Sequence, residues 1–303
     1  MKSLTHSFTV LKYFYSFLGI SLFAIIFSLF GSNLAQNSAA MIGILTFGVL
    51  HGANDLKIIA KKSSNQSKRY RLKFFILYVG VVLLAIVLFL FIPKIALLSF
   101  VGVSCYHFGE QHWNGRFQTK INLFIFYSMY GALIFFLLFT LQYESTVEVI
   151  YQITSLKIPF AVFWGGLILV SLGFMLIIIR SKISLFSFLP EFLLLGVLAI
   201  LFSQATLLFG FGLYFVLWHS LPSLSSQIRY IYDQQTKSPW LSYLKSAIVY
   251  WILALSGLGL FYFYFDLAQE QYLSIFFSFL AAITFPHAVV MGLMFHSRGT
   301  NEE

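Results

Sequence analysis

The chain has 303 residues, of which 59% are hydrophobic, 19% aromatic and only 10% charged. Soluble domains carry about 25% charged residues, so this composition excludes a water-soluble globular protein and indicates a polytopic membrane protein. A formal net charge of +9 would suit nucleic-acid binding, but the positive residues lie in short segments between apolar runs, and we expect no nucleic-acid partner. The single cysteine, Cys105, excludes an intramolecular disulfide and a cysteine-rich metal site.

Apolar runs of spanning or near-spanning length recur along the whole chain. Because about 20 residues cross the hydrocarbon of a bilayer, we predict an all-α transmembrane bundle of about ten helices, with a range of 8–10. We expect these helices to form a single integral membrane domain over residues 1–303. The runs fall at 13–31, 39–60, 74–92, 95–109, 121–142, 159–179, 185–203, 205–219, 246–265 and 272–295.

The distribution of lysine and arginine predicts the orientation of these helices. With a cytoplasmic N-terminus, sixteen Lys and Arg residues fall in inner segments and two, Lys94 and Lys157, in outer loops, while Lys57 stays inside a helix. Such an excess is typical of the cytoplasmic side, so we predict a bacterial inner-membrane protein with both termini cytoplasmic. The basic run 61–73 is then a loop that faces anionic lipid. No internal repeat is evident in the sequence, which does not support an inverted-repeat transporter.

Four histidines lie within or at the end of apolar runs that all cross from outside to inside in this topology: His51, His107, His219 and His287. At 1.5 Å per residue they occupy a layer about 12–15 Å deep in the cytoplasmic half of the membrane. Polar side chains at this depth usually face the bundle interior, and imidazole is the commonest protein ligand of iron, copper and zinc. We predict that the four share a metal site. Separate interhelical hydrogen bonds are the alternative.

Carboxylates lie close to two of these histidines in the sequence. Asp55 follows His51 by four residues and shares its helix face, so it could orient that imidazole or one on a neighbouring helix; pairing with Lys57 is the alternative. Glu110 follows His107 by three residues and is either a similar supporting acceptor or a solvated carboxylate at the helix edge. We expect His112 to be interfacial, and Glu191 within its apolar run to need a partner or a proton.

The segments around the four histidines resemble one family. HGANDLKII (51–59), CYHFGEQHW (105–113), GLYFVLWHS (212–220) and FPHAVVMGL (285–293) follow, in this order, the sequence blocks of the bacteriorhodopsin-related Brp/Blh family. These are bacterial and archaeal membrane β-carotene 15,15′-dioxygenases. The resemblance covers about residues 40–295, and the intervening helices agree only in being apolar.

The resemblance implies an iron-dependent enzyme that cleaves the central double bond of β-carotene with O₂ to give two molecules of retinal. It implies Fe(2+) ligands at His51, His107 and His219. Ser223 stands where the family pattern has a second histidine of an H-x-x-x-H pair. Serine is a poor substitute for imidazole on iron, so either the site keeps three histidines, or His287 replaces the missing one, or the metal is lost.

Aromatic residues flank the histidine segments in a chain with 37 Phe and 17 Tyr. Flat side chains suit the wall of a channel for a polyene, although plain packing explains them too. We expect the channel walls, if there is a channel, to include Tyr106, Tyr214, Phe215 and Trp218.

Other functions remain open. A non-catalytic isoprenoid- or carotenoid-binding protein or carrier of related fold would explain the loss of a ligand at Ser223. A b-type haem protein usually pairs two histidines on one helix, and a membrane desaturase needs H-x-x-x-H and H-x-x-H-H clusters, which the chain lacks. A retinal-binding opsin is disfavoured because Lys57 lies near a helix end.

Overall fold

The computed structural model describes residues 2–63, 67–114, 116, 122–181, 184–232, 236–264 and 271–299, with side chains from Phe14 to Phe295. Throughout these residues the chain is helical and forms no strand. The α-helices are α1 (Lys2–Phe30), α2 (Asn33–Gly43), α3 (Asp55–Lys62), α4 (Lys68–Phe91), α5 (Pro93–Trp113), α6 (Leu123–Leu141), α7 (Tyr143–Thr154), α8 (Phe160–Arg180), α9 (Leu189–Gln204), α10 (Leu207–Leu213), α11 (Leu221–Ile231), α12 (Pro239–Tyr264) and α13 (Tyr272–Gly299).

Seven helical segments in the described part of the chain are long and apolar enough to cross a membrane. The all-α membrane bundle is therefore confirmed, but the count of about ten spans is not. The predicted span 39–60 is broken into α2, a π-helix and α3, each shorter than the bilayer is thick. Helix α5, which contains the predicted span 95–109, ends in two turns with polar residues and is not among the seven. The apolar helix Phe14–Phe30 in the first predicted span is also too short to be counted.

Two π-helices interrupt the helical segments that carry His51 and His219. The first, π1, covers Ile44–Gly48 and is followed by a turn at 51–54; the second, π2, covers Tyr214–Ser220. A π-helix leaves backbone carbonyls without their normal partner, and π-bulges are frequent at functional sites. The indole of Trp251 donates to the carbonyl of Leu45 in π1 at 2.7 Å.

The elements of the first third of the chain recur in the last third in the same order. The series α1, α2, π1, α3, α4, α5 is matched by α9, α10, π2, α11, α12, α13. Like elements pack together: α1 on α9, α2 on α10, π1 on π2, α3 on α11 and α5 on α13. The order of elements is thus the same in these two parts of the chain, a correspondence that the sequence alone does not show.

Helices α5 and α6 approach each other unusually closely. A Cβ atom on Gly109 would overlap the backbone of Tyr127, and one on Gly131 would overlap the backbone of Cys105. Glycine removes the side chain that would otherwise keep two helices apart, as at small-residue interfaces between membrane helices. This contact fixes the segment of α5 that carries His107.

Candidate metal centre

The four histidines predicted to share a site meet inside the bundle. The ring centroids of His51 and His287 are 4.6 Å apart, and those of His107 and His219 are 4.8 Å apart. His51 and His219, and likewise His107 and His287, are separated by 5.2 Å. All four are buried, with at most 4% of their surface exposed. One ring nitrogen from each of His51, His219 and His287 lies within 4.8 Å of the others.

The matched order of elements relates the four histidines in pairs. His51 lies three residues after the end of π1 and His219 lies in π2, whereas His107 and His287 lie on the matched helices α5 and α13. The pair His51–His287 thus corresponds to the pair His107–His219, and the two centroid distances are similar, at 4.6 Å and 4.8 Å.

Several ring nitrogens of the cluster are buried and have no hydrogen-bond partner among the described residues. Buried polar groups in native proteins are almost always paired, and an exception calls for an explanation such as an ion. A neutral imidazole keeps one lone pair available as a metal ligand. These residues therefore fit a metal ion. The unpaired atoms include Nε2 of His51, both nitrogens of His107, Nδ1 of His219 and Nε2 of His287.

Asp55 and Tyr78 support one of the four rings. Nδ1 of His287 lies 3.0 Å from both carboxylate oxygens of Asp55, and the hydroxyl of Tyr78 donates to Asp55 Oδ2 at 2.9 Å. A carboxylate bound to one imidazole nitrogen fixes the tautomer and leaves the other nitrogen for a metal. Asp55 thus contacts the ring of His287 on α13, and not the ring of His51 four residues before it. The ring of His51 lies beside the carbonyls of Gly48 and Phe47.

Ser223 occupies the position in the second repeat that corresponds to Asp55 in the first, four residues after the histidine. Its side chain is fully buried, and its hydroxyl accepts a hydrogen bond from the Gln227 amide at 3.1 Å. The Gln227 carbonyl in turn accepts from the hydroxyl of Tyr243 at 2.9 Å. The two matched positions therefore differ: a carboxylate at the first supports His287, whereas the serine at the second is bonded within its own helix.

The remaining residues singled out in the sequence lie around the cluster. Phe215 packs its ring 5.7 Å from His51 and 5.5 Å from His219, whereas Tyr214 lies 6.0 Å from Phe108. Trp218 packs against Phe14 of α1 and donates to Ser21 at 3.1 Å.

Two of the singled-out residues form a pair on the face of α5 towards α6. Tyr106 packs on Phe124 and donates to Glu110 Oε1 at 2.7 Å. The supporting role of Glu110 and the lining role of the aromatic residues stay predictions.

A second buried polar cluster lies at the C-terminal end of α5, around the histidine that was expected to be interfacial. His112 is only 5% exposed, and its Nε2 lies 2.8 Å from Glu191 Oε2. The guanidinium of Arg116 donates to Glu191 Oε1 at 2.8 Å, and the hydroxyl of Tyr130 donates to Oε2 at 3.0 Å. His112 is therefore buried within the bundle, and Glu191 has the partners that its burial demands.

Two contacts to the histidine cluster were missed by the sequence analysis. Phe108 stacks on His219 with centroids 4.1 Å apart, and Tyr78 binds Asp55. Phe108 directly follows His107, but adjacency does not reveal a contact to a helix more than 100 residues away. Tyr78 lies in the apolar part of α4, where a lone tyrosine gives no sign of a polar contact.

A cavity of about 120 Å³ opens beside the cluster. All four histidines and Asp55 form its floor, and its walls are mainly apolar. An apolar pocket with a few convergent polar groups is the usual form of a binding site for a small molecule.

Fold and site together define a polytopic membrane protein with an imidazole cluster suited to a metal at the base of an apolar cavity. A family model described as "Beta-carotene 15,15'-dioxygenase" matches residues 42–295, and the chain belongs to this family. Neither the curated proteins nor the solved structures contain a match to the chain.

Proposed function

We propose that the protein is an iron-dependent oxygenase that cleaves the central double bond of β-carotene with O₂. The observation that carries the proposal is the convergence of four buried imidazoles, with unpaired ring nitrogens, at the floor of an apolar cavity. The family to which the chain belongs supports the same reaction. Imidazole ligands suit iron, copper, zinc and nickel, and the oxygenase chemistry favours Fe(2+) among these.

The proposed ligands are His51, His107, His219 and His287. Asp55 accepts the Nδ1 proton of His287, so that Nε2 of this ring faces the other three. Bound iron would supply the activation of O₂. The chain itself holds the imidazoles in place and excludes water, since Phe108 and Phe215 cover the faces of His219.

The reaction needs no acid–base group from the protein. The central double bond between two carbons breaks, each of these carbons receives one atom of O₂, and two aldehydes form. One C40 hydrocarbon and one O₂ thus give two C20 aldehydes with no proton or electron left over. The apolar wall of the cavity matches this substrate, which dissolves in the bilayer.

We expect membrane lipid to surround the bundle. We propose that this membrane is the bacterial inner membrane and that both termini lie on its cytoplasmic side. This orientation rests on the distribution of Lys and Arg in the sequence. It puts the cluster in the half of the bilayer nearer to the cytoplasm.

The test uses purified protein loaded with iron under anaerobic conditions and then mixed with β-carotene and ¹⁸O₂. We expect two molecules of retinal per β-carotene, each with one labelled oxygen at short reaction times. His219→Ala should abolish both iron binding and retinal formation. Full activity of this variant, or products from another bond, would contradict the proposal.

The alternative is a carotenoid carrier without a metal, suggested by Ser223. It predicts that the protein retains β-carotene unchanged, and that its metal content is close to zero even after anaerobic loading. The two functions therefore differ in metal content as well as in product.

A further inference from the structure

The cavity above the histidine cluster is not closed on all sides. Beyond its histidine floor, it is lined by Phe75 and Tyr78 of α4, by Tyr250 and Ala254 of α12, and by Ile283 of α13. Tyr250 is 38% exposed, and Phe75 and Ala254 are partly exposed on the outer surface of the bundle. The cavity therefore reaches the outer surface along the line where α4 and α12 meet.

This opening lies at the depth of the hydrocarbon. Helix α4 begins at Lys68 and α12 at Pro239, both at the predicted cytoplasmic end. At 1.5 Å per residue, Phe75 lies about 10 Å and Tyr250 about 16 Å from these helix ends. A molecule that enters here comes from the acyl-chain region and not from the cytoplasm.

Hydrogen bonds join α12 to the segment around π1, to α11 and to Tyr272 at the start of α13. The Asn54 amide donates to the Tyr243 carbonyl at 3.0 Å, Ser246 donates to Asn54, and Trp251 donates to Leu45. These bonds join α12 to the segment around π1. Towards α4 the contact is between the rings of Phe75 and Tyr250, with centroids 6.3 Å apart.

The size of the cavity indicates the shape of the ligand. A cavity of about 150 Å³ in another protein accommodates benzene, and this cavity is about 120 Å³. A long polyene cannot fit inside it, so most of such a molecule must extend through the opening along the membrane-facing helices. A linear, uncharged hydrocarbon meets this requirement because no charged side chain lines the opening in the described residues.

We propose that the gap between α4 and α12, flanked by Phe75 and Tyr250, is the lateral entrance through which a linear polyene reaches the histidine cluster from the bilayer. The inference rests on the proposed function for the identity of the polyene. It goes further in assigning an entrance, and two aromatic residues that flank it.

A reversible cross-link tests the entrance. Cys105 is buried and is replaced by serine, and Phe75→Cys and Tyr250→Cys are then introduced together. A bifunctional methanethiosulfonate reagent bridges the two thiols, and a reducing agent removes the bridge. The protein lies in vesicles that contain β-carotene and is extracted with detergent after set times. The absorbance of the β-carotene bound to the extracted protein then gives the rate of uptake.

We expect the bridge to slow β-carotene uptake, because a closed entrance limits the passage of the ligand, and we expect reduction to restore the original rate. Each single-cysteine variant, treated with the same reagent, should keep its uptake rate within about twofold of the unmodified protein. Ala254→Trp should slow uptake without a cross-link, whereas Leu253→Trp on the adjacent exposed position of α12 should not.

Equal rates of β-carotene uptake by the bridged and the reduced protein would contradict the proposed entrance. Iron content, measured in the same samples, should not change with the bridge, so that a lost metal is not mistaken for a blocked entrance. Wild-type protein that takes up β-carotene without forming retinal contradicts the oxygenase but leaves the uptake comparison decisive. Wild-type protein that takes up no polyene overturns both.

Discussion

Asp55 binds Nδ1 of His287 through both carboxylate oxygens, each at 3.0 Å, although 232 residues separate the two in the chain. Both side chains are buried. An ionised carboxylate in this setting is stabilised by hydrogen-bond donors, here the imidazole N–H and the hydroxyl of Tyr78. The pair therefore joins α3 to α13 and at the same time directs Nε2 of His287 into the cluster.

Replacing the carboxylate should weaken metal binding. In Asp55→Asn the amide oxygen can still accept from His287, but the negative charge that makes the ring a better ligand is gone. We expect iron affinity to fall by about 10- to 100-fold, as for other partners of metal ligands. Iron per protein, measured against a competing chelator, checks this. Glu144→Gln in the exposed first turn of α7 is the matched control and should leave the affinity unchanged.

Tyr78→Phe should have a smaller effect of the same kind. It removes one hydrogen bond to Asp55 and leaves the contact between Asp55 and His287 in place. A hydrogen bond to a charged group contributes about 1.5–3 kcal/mol, and only part of this reaches the metal through His287. We expect a loss of iron affinity smaller than that of Asp55→Asn in the same chelator competition. A loss larger than that of Asp55→Asn would show that Tyr78 acts on the metal directly.

The sequence predicts the convergence of the histidines better than it predicts what holds them. Placing four imidazoles at one membrane depth needs only the lengths of the apolar runs and the orientation rule. The partner of Asp55 depends on how α3 packs against α13, and helical spacing describes one helix at a time. Spacing therefore pointed to His51, four residues earlier, as a candidate partner.

The repeat and the second polar cluster were missed for related reasons. Aligned on their histidines, the ten residues before His51 and the ten before His219 share only Leu45 with Leu213 and Phe47 with Phe215. Two apolar helices resemble each other in composition by default, so such a match carries little information. The burial of His112 depends on Glu191, which lies 79 residues away on α9.

Ser223 should not be a metal ligand. Its hydroxyl accepts from Gln227, and the position corresponds to that of Asp55, which supports a ligand and is not one itself. We expect Ser223→Ala to keep the iron content of the wild type, because the loss is a hydrogen bond within α11. Ser225→Ala, in the same helix, serves as the control. A loss of iron in Ser223→Ala alone would mean that the hydroxyl contacts the metal after all.

A methyl group between α5 and α6 should destabilise the protein. In Gly131→Ala the added Cβ overlaps the carbonyl of Cys105, so the helices must separate near His107. Overpacking of this kind costs about 1–3 kcal/mol or more, and iron content should fall with it because His107 moves. Thermal unfolding in detergent and iron analysis check both effects. Gly102→Ala is the control on α5, since its added Cβ meets no atom within 4 Å.

Breaking the second polar cluster should lower stability without acting on the metal directly. Glu191 is buried and binds three partners, so Glu191→Gln leaves Arg116 without its counter-charge and removes the carboxylate that contacts His112 and Tyr130. Removing one partner of a buried ion pair costs about 3–5 kcal/mol. The cost here should be lower, because the side chain of Arg116 is 33% exposed and water screens its charge. We expect a lower thermal midpoint in detergent, with iron per folded protein close to that of the wild type.

Glu148→Gln on the exposed face of α7 is the control. Loss of iron at an unchanged thermal midpoint would instead tie this cluster to the histidine site through α5.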